Sequence, residues 1–249
     1  MRIRCRPGWL PAVCFTAGLQ LAAFAQSGAP PAWTRTTITQ VKPSMRPQYE
    51  KDLKQEMVAY KKAGTPWFVT LQTFAGETTE YTTIVPVMKF ADLEGPAVPA
   101  RVLGQHRWRV LSKRIARCYS SQRVEYATPL TALRMDEKGQ AIGPYWIETK
   151  SQPVPGKTED YVNWLRNEYG PAMEKGGVMG FSASIAVFGS PGREIVTMRM
   201  LKDLAEIDQG SILTRALGRD QASAVSSRGA KLVSLTSTRI LYVRSDLSY

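Results

Sequence analysis

A single histidine among 249 residues rules out any metal site assembled from several imidazoles, because one side chain supplies one ring. Cysteine is nearly as scarce, with Cys5, Cys14 and Cys118 making up the whole complement. No phosphate-binding loop, dinucleotide fingerprint, G-x-S-x-G nucleophile elbow or H-E-x-x-H zinc motif is present. With so few imidazoles and thiols, the usual hydrolytic triads have little to be built from. Zinc-finger and RNA-binding signatures are missing too, so nucleic acid is not an expected partner. Beyond residue 25, no apolar run approaches the ~20 residues that a membrane-spanning helix needs.

The N-terminus carries the first positive signal. Arg2, Arg4 and Arg6 form a basic start, "WLPAVCFTAGLQLAAF" is apolar and uncharged, and "AFA" at 23–25 is a small-x-small cleavage site before Gln26. That order is a secretory signal peptide, which predicts cleavage after Ala25 and an exported protein, periplasmic or secreted. Residues 26–33 read as a disordered N-terminal segment. Cleavage removes Cys5 and Cys14 and leaves Cys118 without a disulfide partner, so stability must come from an ordinary hydrophobic core. Cys118 itself reads as a small buried hydrophobe. Part of the net charge of +12 leaves with the signal peptide. The densest basic run, "RWRVLSKRIAR" at 107–117, spaces its cations at helical intervals and reads as the solvated face of an amphipathic helix.

"RVLG" at 101–104 returns as "RALG" at 215–218. Sliding the chain on itself by about 112 to 116 residues sets Tyr49 on Tyr161, Leu53 on Leu165, Glu56 on Glu168 and Gly64 on Gly176. Further on, Arg101 and Gly104 meet Arg215 and Gly218, and Tyr126 meets Tyr242. An ordered series of matches reads as a tandem duplication. In the first copy, "TRTTITQV" is a β-branched strand, and Tyr49, Leu53, Met57 and Tyr60 lie at helical spacing before a stop at Gly64. "WFVTLQTF" and "YTTIVPVM" follow as strands around a turn at Gly76, and Pro86 puts the second at an edge or a bulge. A helix over 98–117 and a strand over 118–128 complete the copy. The second repeats this with strands near 144–151, 178–188, 193–200 and 231–243, and helices over 158–175 and 211–228.

The reading is therefore α+β. It has two tandem ferredoxin-like (β-α-β-β-α-β) repeats, at 34–134 and 144–249, joined by a linker at 135–143. Trp67, Val69 and Leu71 alternate on a face that needs cover, so the repeats are expected to pack sheet to sheet. This layout, with "YKKAG" and "FADLEG…RVLG", resembles the dimeric α/β-barrel superfamily, in its NIPSNAP-like and antibiotic-biosynthesis-monooxygenase-like branches, over about 34–248. The resemblance implies an intramolecular dimeric α/β barrel, with cavities between sheet and helices or within the barrel. Cofactor-independent monooxygenases, haem-binding enzymes and small-molecule isomerases all share that fold, so the fold alone does not choose an activity.

Three sets of residues are candidates for chemistry. Glu56 and Glu168 lie on the inner flank of each copy's first helix; there, burial would raise a carboxyl and suit it as a general base. The structural alternative pairs them with Arg101 and Arg215. Tyr60, Trp67, Tyr81 and Trp108 in the first copy, with Trp164 and Tyr169 in the second, could line a ligand pocket or simply fill the core. His106 borders the buried stripe of its helix. The resemblance makes it the axial ligand if haem is bound, and otherwise no cofactor or metal is expected. The leading functional reading is binding of a small, largely apolar molecule. The alternatives are a monooxygenase- or isomerase-like enzyme with a Glu base, and a structural module docking through its basic helix. The sequence leaves enzymatic activity and oligomeric state open.

Overall fold

The β-branched run after the N-terminal segment forms strand β1 (Trp33–Val41) of a computed structural model that describes residues 31–130, 143–190 and 192–249. The expected signal peptide at 1–25 with Cys5 and Cys14, residues 26–30 and linker residues 135–142 lie outside the described residues. Pro47, with a φ already suited to a helix start, opens helix α1 (Arg46–Lys62), and Gly64 at φ +79° ends the turn beyond it. Strands β2 (Val69–Thr73) and β3 (Glu80–Val87) follow, then helices α2 (Val98–Leu103) and α3 (Gln105–Cys118), then β4 (Tyr119–Pro129). The C-terminal half begins with β5 (Tyr145–Pro153). Helices α4 (Thr158–Trp164) and α5 (Gly170–Lys175) flank a π-helical turn at Leu165–Tyr169. After them come β6 (Gly180–Phe188), β7 (Ile195–Leu201), the short helices α6 (Ala205–Asp208) and α7 (Ile212–Leu217), α8 (Arg219–Ala230) and β8 (Val233–Val243).

The paired phrases do the same local job. Gly104 and Gly218, at φ +81° and +79°, separate α2 from α3 and α7 from α8. Arg101 donates to the carbonyls of Pro96 and Asp92, both at 2.9 Å, and Arg215 to those of Gln209 and Gly210 at 3.3 and 3.1 Å. Each arginine fastens the turn before its own helix, so neither serves Glu56 or Glu168.

The sheet corrects the expected fold class. Eight antiparallel strands close a single barrel in the order β1-β3-β2-β8-β5-β7-β6-β4, rather than forming two ferredoxin-like sheets packed face to face. The halves are joined by hydrogen-bonded ladders: β2 to β8, with Leu71 opposite Val243, and β4 to β6, with Thr128 opposite Ile185. The reason lies in the strand edges. Two stacked sheets leave four rows of backbone N–H and C=O groups unpaired, and barrel closure pairs them all. Pro86 sits where β2 has run out: β3 pairs with β2 only as far as Ile84 but continues along β1 to Val87.

Strand alternation sorts side chains into two layers. Phe68, Tyr81 and Val85 face outward and pack with Tyr49 and Leu53 of α1 and Leu111 and Ile115 of α3. Cys118 is buried in the same layer. Trp67, Val69 and Leu71 face into the barrel, where Trp146, Met200 and Leu241 cover them. The barrel also encloses charge. Arg239 binds Glu148 at 2.8 Å and contacts Glu80, and Lys150 reaches from β5 across to Glu125 on β4 at 3.4 Å.

Candidate functional site

Between the barrel wall and the two long helices of the N-terminal half lies a cavity of about 160 Å³. β1 contributes Arg35 and Thr37, β3 contributes Thr83, and β4 contributes Gln122 and Val124, all on the helix-facing side of the sheet. From α1 come Tyr49, Leu53 and Glu56, whose spacing of four and three keeps them on one stripe. Trp108, Ser112 and Ile115 of α3 close the other side. The roof is held by Asp52, which is fully buried on α1. Its two carboxylate oxygens take a fork from Arg114 of α3 at 3.2 and 2.5 Å, and Gln48 donates to it at 2.8 Å. That charged clamp fixes how α1 and α3 sit over the cavity.

Two opposite charges face the cavity without being locked to each other. Glu56 is half-buried and makes no hydrogen bond, and no ion pair within 4 Å, to another described residue. Burial pushes its carboxyl up from the ordinary range, and the Arg35 charge only partly offsets this. Burial would also weaken Arg35's hold on its proton, but Tyr60, Glu56 and Tyr126 beside it hold the guanidinium above its ordinary value. The buried Nε–H of Arg35 has no acceptor among the described residues. Tyr60, against the same guanidinium, has its hydroxyl raised to about 12 by burial. The arrangement thus offers a fixed cation, an unclaimed donor and a carboxyl disposed to take a proton.

The sequence matches no family model and no curated protein. Solved structures do match. A "putative monooxygenase" from Lactobacillus acidophilus NCFM superposes at TM-score 0.61 over 87% of this chain and 94% of its own, at 10% identity. An anthrone oxidase-like protein does so at 0.56 over 85% and 90%, at 15% identity. A mutant chlorite dismutase from Candidatus Nitrospira defluvii, in complex with cyanide, gives 0.52 over 88% and 93%, at 11% identity. The chain shares the overall fold of these structures. At these identities the likeness is one of fold, and the chemistry has to be argued from this chain's own residues.

The structure separates the candidate residues. Glu56 and Trp108 line the cavity, and Tyr60 lies behind it beside Arg35. Tyr81 is buried at the other end of α1, where its hydroxyl donates to Glu50. Trp67 is inside the barrel. Trp164 and Tyr169 join a run of contacting rings with Tyr161 and Phe181 in the C-terminal half, and Trp164 donates to the Val225 carbonyl at 3.1 Å. Glu168 lies at the surface and accepts from Arg228 at 2.8 and 2.5 Å. His106 is exposed and does not line the cavity.

His106 and the cavity therefore do not fit a haem. The imidazole points to solvent, and a space near 150 Å³ holds about one benzene ring rather than a macrocycle of four pyrroles. Arg35 escaped the sequence reading. Its signal was its place in "TRTTITQV": Arg35, Thr37, Thr39 and Val41 share one face of the strand, and that is the face that packs beneath α1 and α3.

Proposed function

We propose that this protein binds a small organic molecule in the cavity between β1, α1 and α3, with Glu56 and Arg35 as its polar contacts. One observation carries the reading: an unpartnered carboxylate and a guanidinium with an unclaimed donor meet in the wall of one cavity. Leaving the buried Arg35 donor unsatisfied costs about 1–3 kcal/mol, and a ligand that bonds to it recovers that energy. The wall mixes Thr37, Thr83 and Gln122 with Leu53, Trp108 and Ile115, which suits an amphiphilic ligand better than a largely apolar one.

The raised Glu56 carboxyl supports a second reading, an enzyme that takes a proton from its substrate at Glu56, with Arg35 steadying the charge that develops. The monooxygenase and anthrone oxidase-like neighbours favour it by fold alone. Both readings are tested by screening a fluorinated fragment library by ligand-observed NMR against the full chain, Glu56→Gln and Arg35→Met. Hits should compete for one site, weaken at least tenfold in Arg35→Met and change in affinity or in its pH dependence in Glu56→Gln, while melting temperatures stay within a few degrees. Hits that bind the variants equally well would remove the cavity from consideration. Variants that fail to fold would assign the pair to structure.

We also propose that the chain is exported. Arg2, Arg4 and Arg6, the apolar stretch after them and "AFA" at 23–25 support it. N-terminal sequencing of protein produced from the full chain should begin at Gln26; retention of the basic start in the accumulated protein would refute cleavage.

A further inference from the structure

This inference rests on the cavity being the ligand site, and it names the class of ligand. Size comes first. An engineered cavity of about 150 Å³ in another protein holds one benzene molecule, so a space of about 160 Å³ admits one ring and its substituent, not three fused rings. Charge comes second. Arg35 stays cationic at any physiological pH, and its buried Nε–H lacks an acceptor. The groups that act on or feel the charge of Glu56 are Arg35 from β1 and Tyr49 and Tyr60 from its own helix; from β4, Tyr119 lies near Tyr49, and Tyr126 near Arg35 and Tyr60. β3 and α3 present Thr83, Trp108, Ser112 and Ile115 to the cavity, none of them charged. The site therefore holds one cation and one carboxylate, without a direct ion pair between them.

We propose that the cavity takes a single-ring organic monoanion of benzoate size, its carboxylate on the Arg35 Nε–H and its ring against Trp108 and Leu53, with Glu56 accepting one proton from solvent as the anion enters. Proton uptake follows from charge balance. Once the incoming carboxylate neutralises Arg35, an ionised Glu56 becomes a second negative charge beside one cation. Taking a proton removes the repulsion and turns Glu56 into a donor toward the bound carboxylate. A neutral ring of the same shape satisfies neither group.

Calorimetric titration of the full chain with benzoate tests this, run in two buffers of different ionisation heat and at several pH values. Expected are uptake of up to one proton per benzoate and an affinity that falls as pH rises, by up to tenfold per pH unit above the Glu56 titration. Glu56→Gln should bind benzoate with no such pH dependence. Arg35→Met should lose at least tenfold in affinity, and Arg35→Lys, which keeps the charge but loses the guanidinium donor, should fall between. Benzyl alcohol should bind at least tenfold more weakly than benzoate, and anthracene-9-carboxylate should not enter. Equal binding of benzoate and benzyl alcohol would overturn the anion class while leaving the cavity as a ligand site. Benzoate binding without proton uptake would overturn the role given to Glu56. If neither one-ring compound binds, the cavity reading itself fails.

Discussion

Glu56 and Glu168 occupy comparable stripes on the first helices of their halves, and what lies opposite each decides its chemistry. Glu168 meets Arg228 at the surface, an exposed pair worth at most about 1 kcal/mol. Glu56 instead lines a cavity whose cation is close enough to pull on its titration but not to bond it. The aromatic candidates divide in the same way. Trp108 is free to meet a ligand, whereas Trp164 is committed to the Val225 carbonyl and to Tyr161 and Tyr169. Cys118 is fully buried and its thiol is pushed up, chiefly by burial, so little reactive thiolate forms.

At the scale of elements, the cavity exists because α1 and α3 are clamped above the sheet rather than collapsed onto it. Asp52 is the clamp. Asp52→Ala removes the acceptor for Arg114, Gln48 and Gln55 while leaving Arg114 free to reach solvent. It should destabilise the protein by about 1–3 kcal/mol in chemical denaturation and weaken cavity ligands in parallel. Unchanged stability would show that the apolar contacts alone set the helix pair. The basic run on α3 is consistent with the amphipathic expectation: Arg107, Arg109, Lys113 and Arg117 are exposed, while Leu111 and Ile115 are buried. The C-terminal end is also tied down, since Phe68 and Tyr249 exchange backbone hydrogen bonds at 2.9 Å and Arg244 bonds to Glu50 of α1.

For the whole molecule, barrel closure removes every sheet edge and traps a charged layer in the interior. Glu148 is its least satisfied member: one carboxylate oxygen has no hydrogen-bond partner, and its nearest extra cation, Lys150, is 3.8 Å away. Burial, only partly offset by Lys150, raises it to about 7 from an ordinary 4.5. A carboxyl raised in this way binds its proton more tightly when folded. Its contribution to stability is thus fully present below about pH 4.5 and is lost as pH rises through about 7. Each pH unit in that window is worth about 1.4 kcal/mol, so Glu148→Gln should gain on the wild type by up to about 3 kcal/mol between pH 4.5 and 7. Denaturation curves at several pH values measure this, and a constant difference would refute it. Glu50 acts at the other end of the scale. The hydrogen bond from Arg244 holds it near 2, so its contribution is lost as pH falls below its ordinary 4.5.

The amino-acid pattern by itself determined the order of elements, the stop at Gly64 and the placing of Glu56 on a buried stripe, but it read 98–117 and 211–228 as unbroken helices, which Gly104 and Gly218 in fact divide. Element order, the stop and the stripe depend on periods of 3.6 and 2 and on glycine's conformational freedom, all of which act within a few residues. Only the tertiary structure decided that the sheets close into one barrel. It also decided that Arg35 rather than Arg101 faces Glu56, that Glu168 pairs with Arg228, and that His106 looks outward. Which strand edges meet, and which charge lies across a helix–sheet gap, are set by contacts between distant parts of the chain. The ladder from Leu71 to Val243 is one such contact, and local periodicity carries no record of it.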